Sequence, residues 1–360
     1  MKTKVLIYLL LIVISACTYS VDDQNSDEYK LQQLTGSIVG VENPSFSPNG
    51  NQVYYIENTG FNQYSLNRID IDGRNNTTVF SRDRIRNYIV ADDNSSIIFD
   101  NVYEYPDSSG IEILMTNYFG DGFTRLLDRN DSLSFLDIYP VDVNMTDSLL
   151  LLDILVEDNG GIVNSVYTLD ILSGKLTKIS GDFNAYASSF SPDKSRILFA
   201  SEQGDSRFTI NTADTSGNNV LSIYEVDQKI ELAGYSQNGF KILFGAPPTP
   251  DSTETLQIYS IASDGTNLVR ITDNHVNNIP AGYSNDESFV LFHSQRYVDN
   301  PDDYDVYIYD EVFGTEYLIM DNNGNDFGVS FSPTELRLLI LSDAPGLPNL
   351  FIYDFTHMYR

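Results

Sequence analysis

Residues 190–200 read FSPDKSRILFA, and six near-copies of this phrase occur elsewhere in the 360-residue chain. They are FSPNGNQVYYI from Phe46, VADDNSSIIFD from Val90, VNMTDSLLLLD from Val143, YSQNGFKILFG from Tyr235, YSNDESFVLFH from Tyr283 and FSPTELRLLIL from Phe331. In the phrase an aromatic or aliphatic residue ends one strand, and Ser-Pro, Ser-Gln or Ser-Asn enters a turn. Proline presets φ there, while Asp, Asn or Gly tolerates the tight geometry. A run such as Arg196-Ile197-Leu198-Phe199-Ala200 follows, apolar enough for a strand buried on both faces.

Successive copies start 44, 53, 47, 45, 48 and 48 residues apart. That is the period of a four-stranded propeller blade, roughly 40 to 50 residues. A third strand and a turn recur in each unit, as in Ser65 to Gly73 and Gln257 to Gly265, where the Asp-Gly step marks a hairpin. A more polar fourth strand ends the unit, as in Leu176 to Ser180 and Leu268 to Thr272. The reading is an all-β, seven-bladed β-propeller with four antiparallel strands per blade.

The last unit is one strand short. Leu31-Gln32-Gln33-Leu34-Thr35 is similar to Leu268-Val269-Arg270-Ile271-Thr272, and both lie 15 residues before the next repeat start. The N-terminal strand is therefore expected to complete the last blade and close the ring. The expected domains are a signal peptide at 1–16, a tether at 17–29 and the propeller at 30–360.

FSPNG, FSPDK and FSPTE, each followed by a buried strand and later an Ile-Asp-Gly or Ser-Asp-Gly turn, resemble the repeats of TolB-like propellers. That resemblance implies a bacterial protein outside the cytoplasm. TolB itself has six blades and a separate N-terminal domain, where this chain has seven units.

The first residues point the same way. Lys2 and Lys4 precede an apolar run from Val5 to Ile14, too short for the roughly 20 residues of a membrane span but suited to a signal peptide. The run ends in Ile14-Ser15-Ala16-Cys17, which resembles a bacterial lipobox, and Cys17 is the sole cysteine. Cys17 is the expected site of lipidation. Residues 18–29 are polar and acidic, a disordered tether. Thr18 beside the cysteine is compatible with passage to the outer membrane, facing periplasm or cell surface; Asp22 and Asp23 resemble acidic export signals. A single cysteine removes any disulfide framework and any cysteine-based zinc site.

Composition excludes other classes. With 21 Lys+Arg against 51 Asp+Glu, the formal net charge of −30 repels phosphate backbones and anionic head groups. No nucleic acid is expected; the membrane contact is the lipid anchor, and the propeller is expected to be monomeric.

Strand alternation sorts the connections onto two faces. The short repeat turns share one face; the variable links between strands two and three, and between blades, share the other. Binding residues are expected among those variable loops. The loop from His293 to Asp305 supplies His293, Arg296, Tyr297, Asp302, Asp303 and Tyr304 as candidates. Tyr297 and Tyr304 lie off the repeat positions that explain most other aromatics. Asp142 breaks a pattern of small residues (Ser45, Ser189, Gly234, Gly282, Ser330) ascribed to crowding near the axis, and is a candidate channel-lining group.

Catalysis finds little support in the residues. The three histidines, His275, His293 and His357, have no metal-ligand spacing, and there is no G-x-S-x-G elbow. Asp70 to Ser81 lacks the glycine and glutamate positions of a calcium loop. No metal, cofactor or catalytic residue is assigned. The expectation is a non-catalytic, lipid-anchored interaction scaffold for an envelope protein; the alternative is a carbohydrate- or polyuronate-binding or lyase-like propeller.

Overall fold

The repeated phrase folds into a self-closing turn. A computed structural model describes residues 31–359 apart from 62, 106–107, 132–134, 159, 205–206, 249–254, 297–302, 323 and 345. In it Ser191 donates its N–H to the Arg196 carbonyl at 2.8 Å, and the Arg196 N–H returns to Ser191 Oγ at 3.0 Å. The Ser191 hydroxyl is steered by Asp193 Oδ1 at 2.6 Å. Ser47, Ser236 and Ser284 make the same closure with Gln52, Lys241 and Phe289, steered by Asn49, Asn238 and Asp286. The phrase is thus spelled Ser-x-Asp/Asn because one hydroxyl must accept and donate within a five-residue turn. Its fifth residue takes positive φ: +71° at Gly50 and +76° at Gly239, but also +59° at Lys194 and +61° at Glu287. Glycine adopts that region freely, whereas a residue with a Cβ does so under strain.

Each phrase joins the inner two strands of an antiparallel four-stranded sheet, and seven such sheets form the ring. Blade four is typical: Asn184–Phe190, Arg196–Gln203, Arg207–Asp214 and Leu221–Val226. Its second strand buries Ile197, Leu198, Phe199 and Ala200 completely. One side packs on Leu151, Val166 and Ile179 of blade three; the other, through Leu198, meets Ile242 and Phe244 of blade five. Burial on both faces is why the run is apolar without alternation.

The closing seam forms as the sequence predicts. Leu31–Gln33 pairs antiparallel with Asn349–Asp354, Leu31 opposite Tyr353 and Gln33 opposite Phe351. The Leu34 N–H reaches the Leu350 carbonyl at 2.8 Å, and the Leu350 N–H reaches Thr35 Oγ1 at 2.9 Å. The same bonds occur between Ile271, Ile258 and Thr272, and between Ile179, Val166 and Ser180. In these three blades the hydroxyl following the fourth strand therefore caps a buried amide of the third.

All seven innermost strands carry a register break, at Glu42/Ser45, Ile85/Tyr88, Pro140/Asp142, Tyr186/Ser189, Leu232/Gly234, Pro280/Gly282 and Gly328/Ser330. The small residues ascribed to axial crowding sit directly after these bulges. A Cβ built on Gly282 would meet nothing within 4 Å, and one on Gly234 only Ser189 Oγ at 3.9 Å. The bulge, rather than crowding, is what these positions share.

Among the described residues no helix is long and apolar enough to cross a membrane. Cys17 and the tether lie outside the described residues.

Candidate functional site

The two faces sort as the strand alternation requires. Of the loop candidates, Tyr297 and Asp302 lie outside the described residues. His293 is the penultimate residue of the second strand of blade six and is buried; its Nε2 lies 2.8 Å from the Gly328 carbonyl of blade seven and its ring meets Phe327 edge-on. Burial lowers its pKa, opposed by the Gly328 bond, so it sits neutral in the wall. Tyr304 leans on the same Phe327, 5.9 Å between ring centroids. Arg296 stacks 4.0 Å over the Tyr307 ring, donates to Ser294 Oγ at 3.1 Å and pairs with Glu316 at 2.5 Å. Asp303 is buried beside them.

Asp142 stands apart, near the opposite face. Its carboxylate pairs with Lys194 at 3.0 Å and accepts the Phe190 N–H at 3.0 Å, so it ties blade three to blade four. A comparable tie joins blades two and three. Arg86 lies between Asp100 (2.6 Å) and Asp137 (2.9 Å) and over the Tyr139 ring (4.4 Å). Burial raises the Asp100 pKa despite Arg86, while Arg86 and Tyr139 hold Asp137 down against its own burial.

Beneath the loop candidates lies a polar group that the repeat reading passed over. Asp305 opens the third strand of blade six and Asp326 the first strand of blade seven, both fully buried. Burial and the charges of Asp321, Asp303 and Asp326 push Asp305 up to about 7 against the pull of Arg296. Burial likewise lifts Asp326 to about 6, against hydrogen bonds from Ser342 and Asn322. The legible signal was an aspartate at the first position of a strand whose counterpart in blade five is Gln257.

A second feature opens on the short-turn face. A cleft of about 340 Å³ lies between blades five and six, floored by Ala262, Val269 and Ile271 and rimmed by Lys241, Ser260, Asn267, Tyr309 and Glu311. Lys241 pairs with Glu311 across the blades and sits 5.5 Å from the Tyr283 ring. Phe240 precedes this lysine and Phe313 follows the glutamate by two residues; they are 71% and 72% exposed. Phe240 holds the sixth position of the repeat phrase, where Asn51, Ser195 and Ser288 stand in other copies, and that departure was readable in the sequence.

No protein-family model matches the chain, and no curated protein sequence matches it. Solved structures do. An oligogalacturonate lyase in complex with manganese aligns with TM-score 0.70 at 12% identity, over 93% of this chain and 96% of the lyase. Dipeptidyl peptidase 4 of Porphyromonas gingivalis aligns with TM-score 0.60 at 11% identity, over 91% of this chain and 59% of the peptidase. TolB of Acinetobacter baumannii aligns with TM-score 0.47 at 16% identity, over 83% and 78%. At these identities the likeness concerns the β-propeller fold. The expectation of a protein that is no enzyme is nevertheless corrected: the structures sharing this fold are mostly enzymes, a lyase and peptidases among them. A propeller can assemble a site from several blades, so the lack of local catalytic motifs in the sequence does not exclude catalysis. A manganese centre held by three or more His, Cys, Asp or Glu side chains is not formed by the described residues, and His293 is held against a backbone carbonyl.

Proposed function

We propose that this chain is a carbohydrate-directed propeller, with a uronate-bearing oligosaccharide as its ligand class, received at the cleft between blades five and six. The carrying observation is the make-up of that cleft. Ala262, Val269 and Ile271 line it beside one ammonium, one carboxylate, two hydroxyls and an amide, and the exposed Phe240 and Phe313 are close sequence neighbours of the lining residues Lys241 and Glu311. A pyranose has apolar C–H faces and an equatorial belt of hydroxyls, so it needs an aromatic or aliphatic surface beside convergent polar groups. Lys241 supplies the positive charge for a uronate carboxylate, exchanging its present partner Glu311. The overall charge of −30 opposes a polyanion at long range, so recognition rests on this local cation. The whole-length likeness to an oligogalacturonate lyase supports the same ligand class.

The test is calorimetric titration with a galacturonate trimer and with its neutral galactose counterpart, alongside an ultraviolet assay for unsaturated sugar ends. Lys241→Met should weaken the uronate about tenfold, the loss of one charge-assisted contact, and leave the neutral sugar unchanged. Phe240→Ala should weaken both. A protein that neither binds nor cleaves either trimer refutes the reading. Lipid anchoring at Cys17 belongs to the same proposal; labelled palmitate that enters Cys17→Ala as readily as the parent would remove it.

A further inference from the structure

The polar group beneath the long-loop face has an internal reference one blade away. Gln257, Asn274, Asn278 and Ser294 form a knot where blade five meets blade six; adding 48 to each number gives Asp305, Asn322, Asp326 and Ser342 where blade six meets blade seven. The backbone frames correspond: the Asn278 N–H bonds the Leu256 carbonyl at 3.0 Å, and the Asp326 N–H bonds the Tyr304 carbonyl at 2.8 Å.

In the first knot donors and acceptors match. Asn278 Nδ2 donates to Asn274 Oδ1 at 2.8 Å and to the Val276 carbonyl at 3.0 Å. Gln257 Nε2 donates to the Val276 carbonyl at 3.0 Å, and Ser294 Oγ donates to Asn278 Oδ1 at 2.8 Å. The second knot replaces two amides by carboxylates, which removes two NH2 groups and adds two acceptor oxygens. Asn322 Nδ2 still donates to Asp326 Oδ1 at 3.0 Å. Both oxygens of Asp305, Oδ2 of Asp326 and Oδ1 of Asn322 are left buried with no hydrogen-bond partner. Asp305 and Asp326 are each 0% exposed. The nearby guanidinium of Arg296 is already engaged by Glu316, Ser294 and Tyr307.

Carboxylates in this setting need a positive partner, because a buried charge left unpaired is strongly destabilising. We propose that the junction of blades six and seven is a cation site in which Asp305 and Asp326 supply carboxylate oxygens and Asn322 its amide oxygen. The donor set is oxygen only and mixes carboxylate with amide carbonyl, the preference of a hard cation and of Ca²⁺ above softer metals. The site is distinct from the saccharide cleft, which opens on the opposite face, and stands independently of it.

The experiment uses chelator-treated full-length protein and CaCl2, with MgCl2 as comparison, read by calorimetry and thermal unfolding. Calcium at about a hundredfold excess over its dissociation constant should raise Tm by about 5 °C, and magnesium by less. The double variant Asp305→Gln/Asp326→Asn, which restores the amides of the neighbouring knot, should unfold at the higher temperature without calcium and give no calcium heat. A wild-type protein with neither calcium heat nor calcium-dependent Tm overturns the proposal whatever the variant does. So does a double variant that keeps the full calcium response. If the variant fails to fold, the wild-type titration decides alone, and a Tm responsive to pH but not to calcium assigns the knot to a shared proton instead and overturns the cation site.

Discussion

Replacing Thr35 by valine tests ring closure at one atom. Thr35 is 5% exposed, and its Oγ1 accepts the Leu350 N–H at 2.9 Å while donating to Asn349 Oδ1 at 3.0 Å. Valine fills nearly the same volume but leaves the Leu350 N–H buried without an acceptor. Asn349 Oδ1 still receives the Ser37 N–H at 2.8 Å, so its loss is small. One orphaned buried amide costs about 1–3 kcal/mol. At about 2 °C per kcal/mol for a chain of this size, Tm should fall by about 2–6 °C. Thr272→Val is the internal control. It removes the equivalent bond to the Ile258 N–H, also 2.9 Å and fully buried, within a blade built from continuous chain. Urea unfolding followed by circular dichroism should give both variants the same loss within about 0.5 kcal/mol, with unchanged m. Hydrogen exchange should separate them, because only Thr35→Val speeds exchange at Leu34 and Leu350. If Thr272→Val destabilises and Thr35→Val does not, residues 31–35 do not close the ring in solution.

Two further substitutions probe buried charge. Arg86→Met strands Asp100, which is 0% exposed, and should cost about 3–5 kcal/mol in urea unfolding; a loss below about 1 kcal/mol would show that the Arg86 network is not what binds blades two and three. Asp153, bonded to Ser188 Oγ at 2.6 Å, is pushed up to about 6, chiefly by burial. A folded-state pKa raised above the unfolded one contributes stability below about pH 4 that is lost as pH climbs through about 6. Asp153→Asn should therefore be the more stable protein at pH 7.5, by up to about 3 kcal/mol, and should lack the wild-type decline between pH 4 and 6. An equal difference between the two proteins at pH 4 and pH 7.5 would rule this out.

The fold was legible because its determinants are local and repeated. Ser191 with Asp193 makes a turn from residues that are sequence neighbours, and Phe199 declares a strand buried on both faces. Even the seam was readable, since Leu31 to Thr35 copies Leu268 to Thr272. The site was less so. His293 and Arg296 were chosen as polar residues in a long loop, yet the one is bonded to Gly328 and the other stacked on Tyr307. Phe240 stands at a repeat position that is polar in five copies and leucine in the last, Leu336, so it is an exposed aromatic where the repeat offers no other. Asp305 and Asp326, 21 residues apart, drew no notice because each begins a different strand.

The sequence by itself determined seven wedges, the order of strands within them and which turns share a face, because turns and strand burial depend on spacing within about ten residues. Only the tertiary structure decided which side chains face each other across blade boundaries. Lys241 meets Glu311, Arg86 lies between Asp100 and Asp137, and Asp305 shares a buried junction with Asp326. Those juxtapositions arise from the packing of one sheet on the next, where residues remote in the chain lose their water together and must satisfy one another's charge.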